Sequence, residues 1–233
     1  MKDTYIHDSL SGRKVLFEPI REGKLSLYCC GPTVYSDPHI GNFRPVVVFD
    51  QLVRYFKAIG YETTYVSNYT DVDDKIINRA KELGISEAEL SEGVIAEFVR
   101  LVKEVGSQIP DITPRPTLMM GEIIDYVKRL VEKGYAYEAD GDVYFRVRKV
   151  REYGALSGNT IEHLESGARI EPTSKKEDPL DFALWKKTEE GIKWDSPWGK
   201  GRPGWHTECC VMIDSIFHSQ GGFIDIHGGG FDL

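Results

Sequence analysis

The chain has 233 residues, with 29 Lys and Arg against 37 Asp and Glu, which gives a formal net charge of −8. This length suits one large domain or two modest ones, and 41% hydrophobic residues are enough for a buried core. No stretch reaches the ~20 consecutive apolar residues of a membrane-spanning helix, and the first residues lack the pattern of a secretory signal. We therefore expect a cytoplasmic protein with no membrane partner.

The four cysteines form two adjacent pairs, Cys29 with Cys30 and Cys209 with Cys210. They are too few for a disulfide scaffold in a chain of this length, so metal binding or simple burial is expected instead. The acidic balance weighs weakly against nucleic acid as a partner, because phosphate binding favours a positive field. A basic cluster at residues 146–151 softens that argument.

The first predicted unit is a strand, a loop, a helix and a second strand. Alternating apolar residues predict the first strand at 25–30, and a loop rich in glycine, proline, aspartate and asparagine follows at 31–42. Apolar residues at helical spacing then predict a helix with Pro45 in its first turn and Gly60 at its end. The second strand is predicted at 61–67. Such a unit builds a parallel sheet, which places ligands at the carboxyl ends of its strands.

Caps and turns predict the later elements. Three more helices are expected, at 71–84, 86–106 and 117–134. A hairpin is expected from strands at 135–138 and 142–147, and a strand returns to the sheet at 223–226. Residues 148–203 show little regular periodicity. Because the chain stops directly after a glycine run, we expect it to be part of a longer protein.

The loop before the first helix carries candidate phosphate ligands. A helix N-terminus at this edge of a sheet offers free N–H groups and the positive end of the helix dipole. His39 and Asn42 add side-chain donors, and Gly41 lets a planar group approach the backbone. The dinucleotide-binding glycine motif and the phosphate-loop lysine motif are absent, which disfavours hydride transfer and phosphate-loop hydrolysis. On these residues alone, a histidine and an asparagine that cap the helix are the simpler interpretation.

Taken as a whole, the run at residues 28–44 resembles the first signature of class I aminoacyl-tRNA synthetases, in the form found in the cysteinyl-tRNA synthetase family. The resemblance continues in order through blocks at 68–77, 141–145, 181–186, 196–199, 201–209 and 225–230. It implies an α/β fold with a Rossmann-like, nucleotide-binding parallel sheet. The order of predicted elements along the chain places this catalytic domain at 1–112 and 204–233, interrupted by a connective insertion at 113–203.

The resemblance implies a nucleotide site. His39 and Asn42 take the first and last positions of the signature tetrapeptide, which binds the ATP phosphates and stabilises charge at the α-phosphate. Gly41, Gly230 and Asp232 are expected to contact the nucleotide, with Asp232 on the ribose hydroxyls. Mg²⁺ would accompany ATP. An aspartate beside glycines is also common in turns, so turn chemistry stays open for Asp232.

The resemblance also implies one Zn²⁺ per chain. The family holds this ion with two cysteines, a histidine and a glutamate. The cysteines correspond to Cys30 and Cys209, while the other two ligands would lie beyond Leu233. Without the family, two distant cysteines would be taken as buried apolar residues, which is our expectation for Cys29 and Cys210. Zn²⁺ binds thiolates readily, so it would select cysteine over serine.

Thr70 and Trp205 correspond to the pocket for the amino acid, although a core aromatic is nearly as good an interpretation of Trp205. His227 is open between a supporting, a nucleotide-binding and a structural role. Asp71 and its acidic neighbours are expected to cap the following helix rather than bind a metal. The basic cluster at 146–151 is expected to be a solvated hairpin face, with contact to the tRNA acceptor end as the less favoured alternative.

The implied activity is a two-step ligation. ATP would activate L-cysteine to cysteinyl-adenylate, and the 3′ end of tRNA(Cys) would then attack the activated carboxyl. Two alternatives stay open: a ligase that joins cysteine to an amino sugar in mycothiol synthesis, and a non-catalytic paralogue. The second class I signature is missing from these residues, so the chain alone is expected to be inactive.

Overall fold

The computed structural model describes residues 3–158, 175–204 and 207–229. The chain forms two compact units. The first unit contains Pro19–Met120 and Glu208–Leu233, and the second contains Lys2–Glu18 and Gly121–Thr207. Within the described ranges, no helix is long and apolar enough to cross a bilayer.

A three-stranded parallel sheet lies at the centre of the first unit. Its order is β4 (Glu62–Ser67), β3 (Lys24–Cys29) and β9 (Ile226–Gly228). Strand β3 pairs in parallel with both neighbours and is buried at every residue after the first. A strand with neighbours on both edges and layers on both faces is expected to be apolar throughout. The predicted parallel α/β fold is therefore confirmed.

Helix α1 (Ile40–Ala58) connects β3 to β4. Its residue Val53 packs with Leu27, Cys29 and Tyr65 of the sheet. The predicted start of this helix was wrong, because α1 begins at Ile40, inside the predicted loop, and Pro45 lies beyond its first turn. The helix begins earlier than predicted because the side chains of His39 and Asn42 cap its N-terminus.

Two further helices complete the first layer. Helix α2 (Asp74–Leu83) begins at the cap Asp73 and ends at Gly84, whose φ of 68° is left-handed. Helix α3 (Glu87–Glu104) begins at Ser86, whose hydroxyl accepts a hydrogen bond from the Glu89 amide at 3.2 Å. These caps confirm the predicted boundaries to within a few residues. The apolar sides of both helices form one cluster with the side chains of Val34 and Tyr69.

The second unit contains an antiparallel sheet and a separate hairpin. The sheet has the order β5, β6, β7, β8, and the hairpin pairs β1 with β2. The strands are β1 (Tyr5–Asp8), β2 (Arg13–Leu16), β5 (Ala136–Ala139), β6 (Asp142–Phe145), β7 (Phe182–Lys187) and β8 (Gly201–Pro203). The helix before this sheet is α4 (Met120–Glu132). The predicted hairpin of β5 and β6 is confirmed.

Some strands were missed or misplaced by the sequence analysis. Strand β7 lies in the stretch without periodicity, because the adjacent residues Leu184 and Trp185 are both buried and no alternation marks the strand. The returning strand was predicted at 223–226, whereas β9 is Ile226–Gly228. The hairpin of β1 and β2 was not predicted. The proposed domain ranges stay predictions.

The last helix, α5 (Thr207–Ile216), brings a second apolar layer to the sheet. Met212 and, directly after the helix, Phe217 pack against Tyr28 of β3 and Val66 of β4. The segment between this helix and β9 is fixed by Asp225.

The Asp225 carboxylate holds β9 to β3. One oxygen accepts hydrogen bonds from the Ser26 amide at 2.7 Å and the Ser26 hydroxyl at 2.5 Å. The other accepts from the Ile20 amide at 2.6 Å. The Asp225 amide in turn donates to the Ser26 hydroxyl at 3.0 Å. A carboxylate that accepts three hydrogen bonds here is expected to stabilise the pairing of the two strands.

We predict that Asp225→Asn weakens the pairing of β9 with β3. The amide group turns one acceptor into a donor that faces another donor, which costs about 1–3 kcal/mol. Amide hydrogen exchange across β3 and β9 in the full-length protein measures the free energy of opening. Asp195→Asn, at an exposed position, is the control. Equal protection in D225N and wild type would contradict the assigned role.

Candidate functional site

The polar residues of the site follow the carboxyl ends of the sheet strands. Cys30 comes directly after β3, Asn68 comes directly after β4, and His227 lies within β9. Because the three strands are parallel, these ends meet at one edge of the sheet. Cys209 joins them from the first turn of α5.

Two thiols meet at this edge. The sulfur atoms of Cys30 and Cys209 are 3.5 Å apart. Two thiolates bound to one tetrahedral Zn²⁺ at ~2.3 Å would lie roughly 3.8 Å apart, so a small outward movement would admit the ion. Within the part of the chain that the structure describes, no group of three or more His, Cys, Asp or Glu side chains is placed to hold a metal. The described residues thus fit half of a tetrahedral zinc site.

The two thiols differ in acidity. The shared hydrogen bond lowers the pKa of the Cys30 thiol and raises that of Cys209. Burial further raises the pKa of Cys209. The adjacent cysteines differ in exposure to solvent. Cys29 is buried, and this burial raises its pKa to about 12, while Cys210 is exposed. The expected burial is therefore confirmed for Cys29 and wrong for Cys210, whose place on α5 leaves it accessible.

His227 lies beside the thiol pair. Its Nε2 atom is 3.5 Å from the Cys30 sulfur. Its ring meets the buried Tyr28 ring edge-on, at a centroid distance of 5.5 Å. Although His227 lies at an exposed position of β9, partial desolvation of its ring lowers its pKa, which favours the neutral imidazole. The structure therefore places His227 in contact with the predicted metal ligand Cys30.

Thr70 lies in a buried polar network next to the thiols. Its hydroxyl accepts a hydrogen bond from the Asn68 amide nitrogen at 3.1 Å and donates one to the Glu208 carboxylate at 3.2 Å. Thr70, Asn68 and Glu208 are all buried. Burial raises the pKa of Glu208 to about 8. Asn68 and Glu208 had no predicted role, although both lie within the blocks at 68–77 and 201–209 that carry the family resemblance.

The loop that begins α1 forms a second group of contacts. The Asn42 side-chain oxygen accepts from the His39 amide at 2.9 Å, and the His39 Nδ1 atom accepts from the Gly41 amide at 3.1 Å. His39 and Asn42 thus form the capping box of α1. A Cβ atom at Gly41 would lie 2.8 Å from the His39 ring, so only glycine fits there without a shift. The cap interpretation and a phosphate-binding role use the same location.

The acidic residues after β4 do not share one role. Asp73 caps α2, as expected, and Asp74 lies in the first turn of that helix. The expectation for Asp71 was wrong, because its buried carboxylate instead accepts hydrogen bonds from the Thr117 amide at 3.1 Å and the Thr117 hydroxyl at 2.5 Å. Asp71 therefore ties the segment that carries Thr70 to the turn before α4.

The basic cluster of the second unit is largely occupied by ion pairs. Arg146 contacts Glu177 at 2.7 Å, and Arg148 contacts Asp178 at 2.5 Å. These local carboxylates neutralise part of the positive charge of residues 146–151. The predicted contacts of Trp205, Gly230 and Asp232 lie outside the described residues.

Comparison with known proteins agrees with the blocks of the sequence. Residues 16–233 match the family described as tRNA synthetases class I (C) catalytic domain. A protein of Sulfurihydrogenibium sp. named Cysteine--tRNA ligase is 52% identical over 98% of this chain and 46% of its own length. Proteins of the same name from Staphylococcus epidermidis and Geobacillus sp. are 53% and 50% identical, over 98% and 100% of this chain and 48% and 50% of their own lengths. This chain spans about half the length of those relatives, and it belongs to the class I (C) tRNA synthetase catalytic domain family.

Proposed function

We propose that the full-length protein carrying this chain joins L-cysteine to tRNA(Cys) with ATP. The carboxylate of cysteine attacks the α-phosphate of ATP, pyrophosphate leaves, and cysteinyl-adenylate forms. The 3′ end of the tRNA then attacks the activated carboxyl and AMP leaves. The observation that carries the proposal is the approach of the Cys30 and Cys209 sulfur atoms to 3.5 Å at the carboxyl edge of the sheet.

The thiol pair supports selection of a thiol substrate. Cys30 and Cys209 would hold Zn²⁺, which supplies a Lewis acid that prefers thiolate to hydroxyl ligands. The lowered pKa of Cys30 favours the thiolate that such a site requires. Discrimination based on a polar contact that the wrong substrate cannot make reaches ~10⁴–10⁵ without an editing domain.

The α1 loop supports a phosphate site. The His39 Nδ1 atom accepts a hydrogen bond, so in the neutral ring the proton lies on Nε2, which is then available as a donor. No acidic residue lies in the first turn of α1, so no carboxylate opposes an anion there. We propose that His39 Nε2 and the N-terminal amides of α1, with Gly41 and Asn42 fixing the loop, stabilise charge on the ATP phosphates and their Mg²⁺ complex. Gly230 and Asp232 stay proposed contacts of the nucleotide, and Trp205 stays a proposed wall of the cysteine pocket.

The decisive test of this function is to identify the molecule that accepts the activated cysteine. The full-length protein is given ATP, Mg²⁺ and labelled cysteine, with tRNA(Cys) or an amino sugar as acceptor. We expect label on the tRNA, as the names of the relatives suggest. Label only on the sugar would support the mycothiol-type ligase instead. A folded, metal-loaded protein that labels neither acceptor would support the non-catalytic paralogue.

The adjacent cysteine pairs provide a matched test of the metal site. We predict that Cys30→Ala and Cys209→Ala each remove most of the bound zinc and the preference for cysteine over serine. Cys29→Ala and Cys210→Ala are the controls and are expected to keep full zinc content, because one is a core residue and the other is exposed. Elemental analysis of the purified full-length proteins gives the zinc stoichiometry. Full zinc in both C30A and C209A would refute the assignment.

A second substitution tests the phosphate site. His39→Ala removes one donor to the reacting phosphates, and we expect kcat/KM for cysteine-dependent ATP–pyrophosphate exchange to fall roughly 10²–10³-fold. Loss of the cap should also lower stability, by about 1 kcal/mol. Zinc content should not change. The exposed His7 provides the control variant His7→Ala, and exchange rates that are equal in H39A and wild type would rule out the role of His39.

A further inference from the structure

We infer that Asn68 is a positioning residue that sets the Thr70 hydroxyl as a hydrogen-bond acceptor for the ammonium group of the amino-acid substrate. The inference rests on the proposed function, since it requires that Thr70 line the cysteine pocket. The side chain of Asn68 is a buried amide that is neither a proposed metal ligand nor a proposed phosphate ligand.

The orientation of the Asn68 amide is fixed by its partners. Its oxygen accepts two hydrogen bonds of 3.0 Å, from the Tyr28 hydroxyl and from the Gly31 amide. Its nitrogen donates to the Thr70 hydroxyl at 3.1 Å. Two donors face the oxygen and an acceptor faces the nitrogen, so the flipped amide would lose these bonds. Asn68 is 1% exposed, and no water competes for its side chain at this depth.

The hydroxyl of Thr70 has one hydrogen-bonding position left for a ligand, and that position is an acceptor. A hydroxyl has one proton and two lone pairs. The proton is donated to a side-chain oxygen of Glu208 at 3.2 Å, and one lone pair accepts from Asn68. The remaining lone pair can only accept, so it suits a donor such as an ammonium group and cannot serve a carboxylate.

Asn68 also connects this hydroxyl to the thiol pair. Its oxygen holds the Gly31 amide, which follows Cys30 directly, and lies 4.0 Å from the Cys209 sulfur. The backbones of Gly31 and Asn68 also lie close together, since a Cβ atom on Gly31 would be 1.7 Å from the backbone carbonyl oxygen of Asn68. One side chain therefore fixes the distance between the group that would recognise the substrate ammonium and the sulfur atoms near which the substrate thiol would bind.

The test substitution is Asn68→Asp in the full-length protein. The carboxylate keeps the size of the side chain and the acceptor for Tyr28 and Gly31, but it replaces the donor to Thr70 with a second acceptor. The new carboxylate then competes with the Glu208 oxygen for the single Thr70 proton, and the hydroxyl no longer offers a fixed lone pair. We expect zinc content to stay at the wild-type level while recognition of the substrate ammonium is lost.

The readout is the ratio of two dissociation constants measured by calorimetry, for cysteine and for 3-mercaptopropionate, which lacks the amino group. We expect N68D to lower the preference for cysteine about tenfold, which is close to the contribution of one hydrogen bond to a charged group. A general loss of packing would weaken both ligands equally and leave the ratio unchanged. Asn78→Asp, at an exposed position on α2, is the matched control and should keep the wild-type ratio.

The outcomes separate this inference from the proposed function. A wild-type ratio in folded N68D would overturn the role of Asn68 and leave the function intact. Wild-type protein that binds cysteine but catalyses no pyrophosphate exchange would contradict the function, while the ratio still tests Asn68. Wild-type protein that does not bind cysteine would overturn both. Asn68→Ser, which removes the donor without adding charge, serves if N68D does not fold; it should lower the ratio in the same direction, and an unchanged ratio would again overturn the inference.

Discussion

The parallel pairing of β3 with two neighbours is the constraint on which the site depends. Parallel strands end at the same edge, so residues 30, 68 and 227, which are far apart in the sequence, are delivered to one place. Strand β3 can hold this position because it is buried on both faces, by α1 on one side and by α5 with its following turn on the other. Asp225 adds a polar clamp where the short β9 begins.

Burial gives the site its chemistry. Water is excluded from the edge that holds Asn68, Thr70 and Glu208, so each polar atom needs a partner within the protein and its orientation is fixed. The same burial raises the pKa of Glu208, and it adds to the hydrogen bond with Cys30 in raising the pKa of Cys209. The α1 loop is different, because His39 and Gly41 are exposed and hold their geometry through local hydrogen bonds. The polar network beside the thiols is thus shielded from water, and the proposed phosphate site is open to a large ligand.

Structural features were predictable where the interacting residues are close together in the sequence. The caps at Asp73 and Ser86 and the hairpin of β5 and β6 involve residues a few positions apart, so their patterns can be read directly. The start of α1 was missed by at least three residues, because a histidine cap is less typical than the proline and glycine signals that were weighed. Strand β7 was missed because its buried faces depend on neighbours far away in the sequence.

The sequence by itself determined the family, the parallel α/β class and the candidate residues of the loop and the cysteine blocks, because these are carried by short motifs in a fixed order. Only the tertiary structure decided which groups meet. It brought the Cys30 and Cys209 sulfur atoms together, placed His227 against the first thiol, and made Asn68 and Glu208 partners of Thr70. The reason is physical: a contact between residues 68, 70 and 208 arises from the packing of a helix on a sheet, and no local pattern along the chain encodes it.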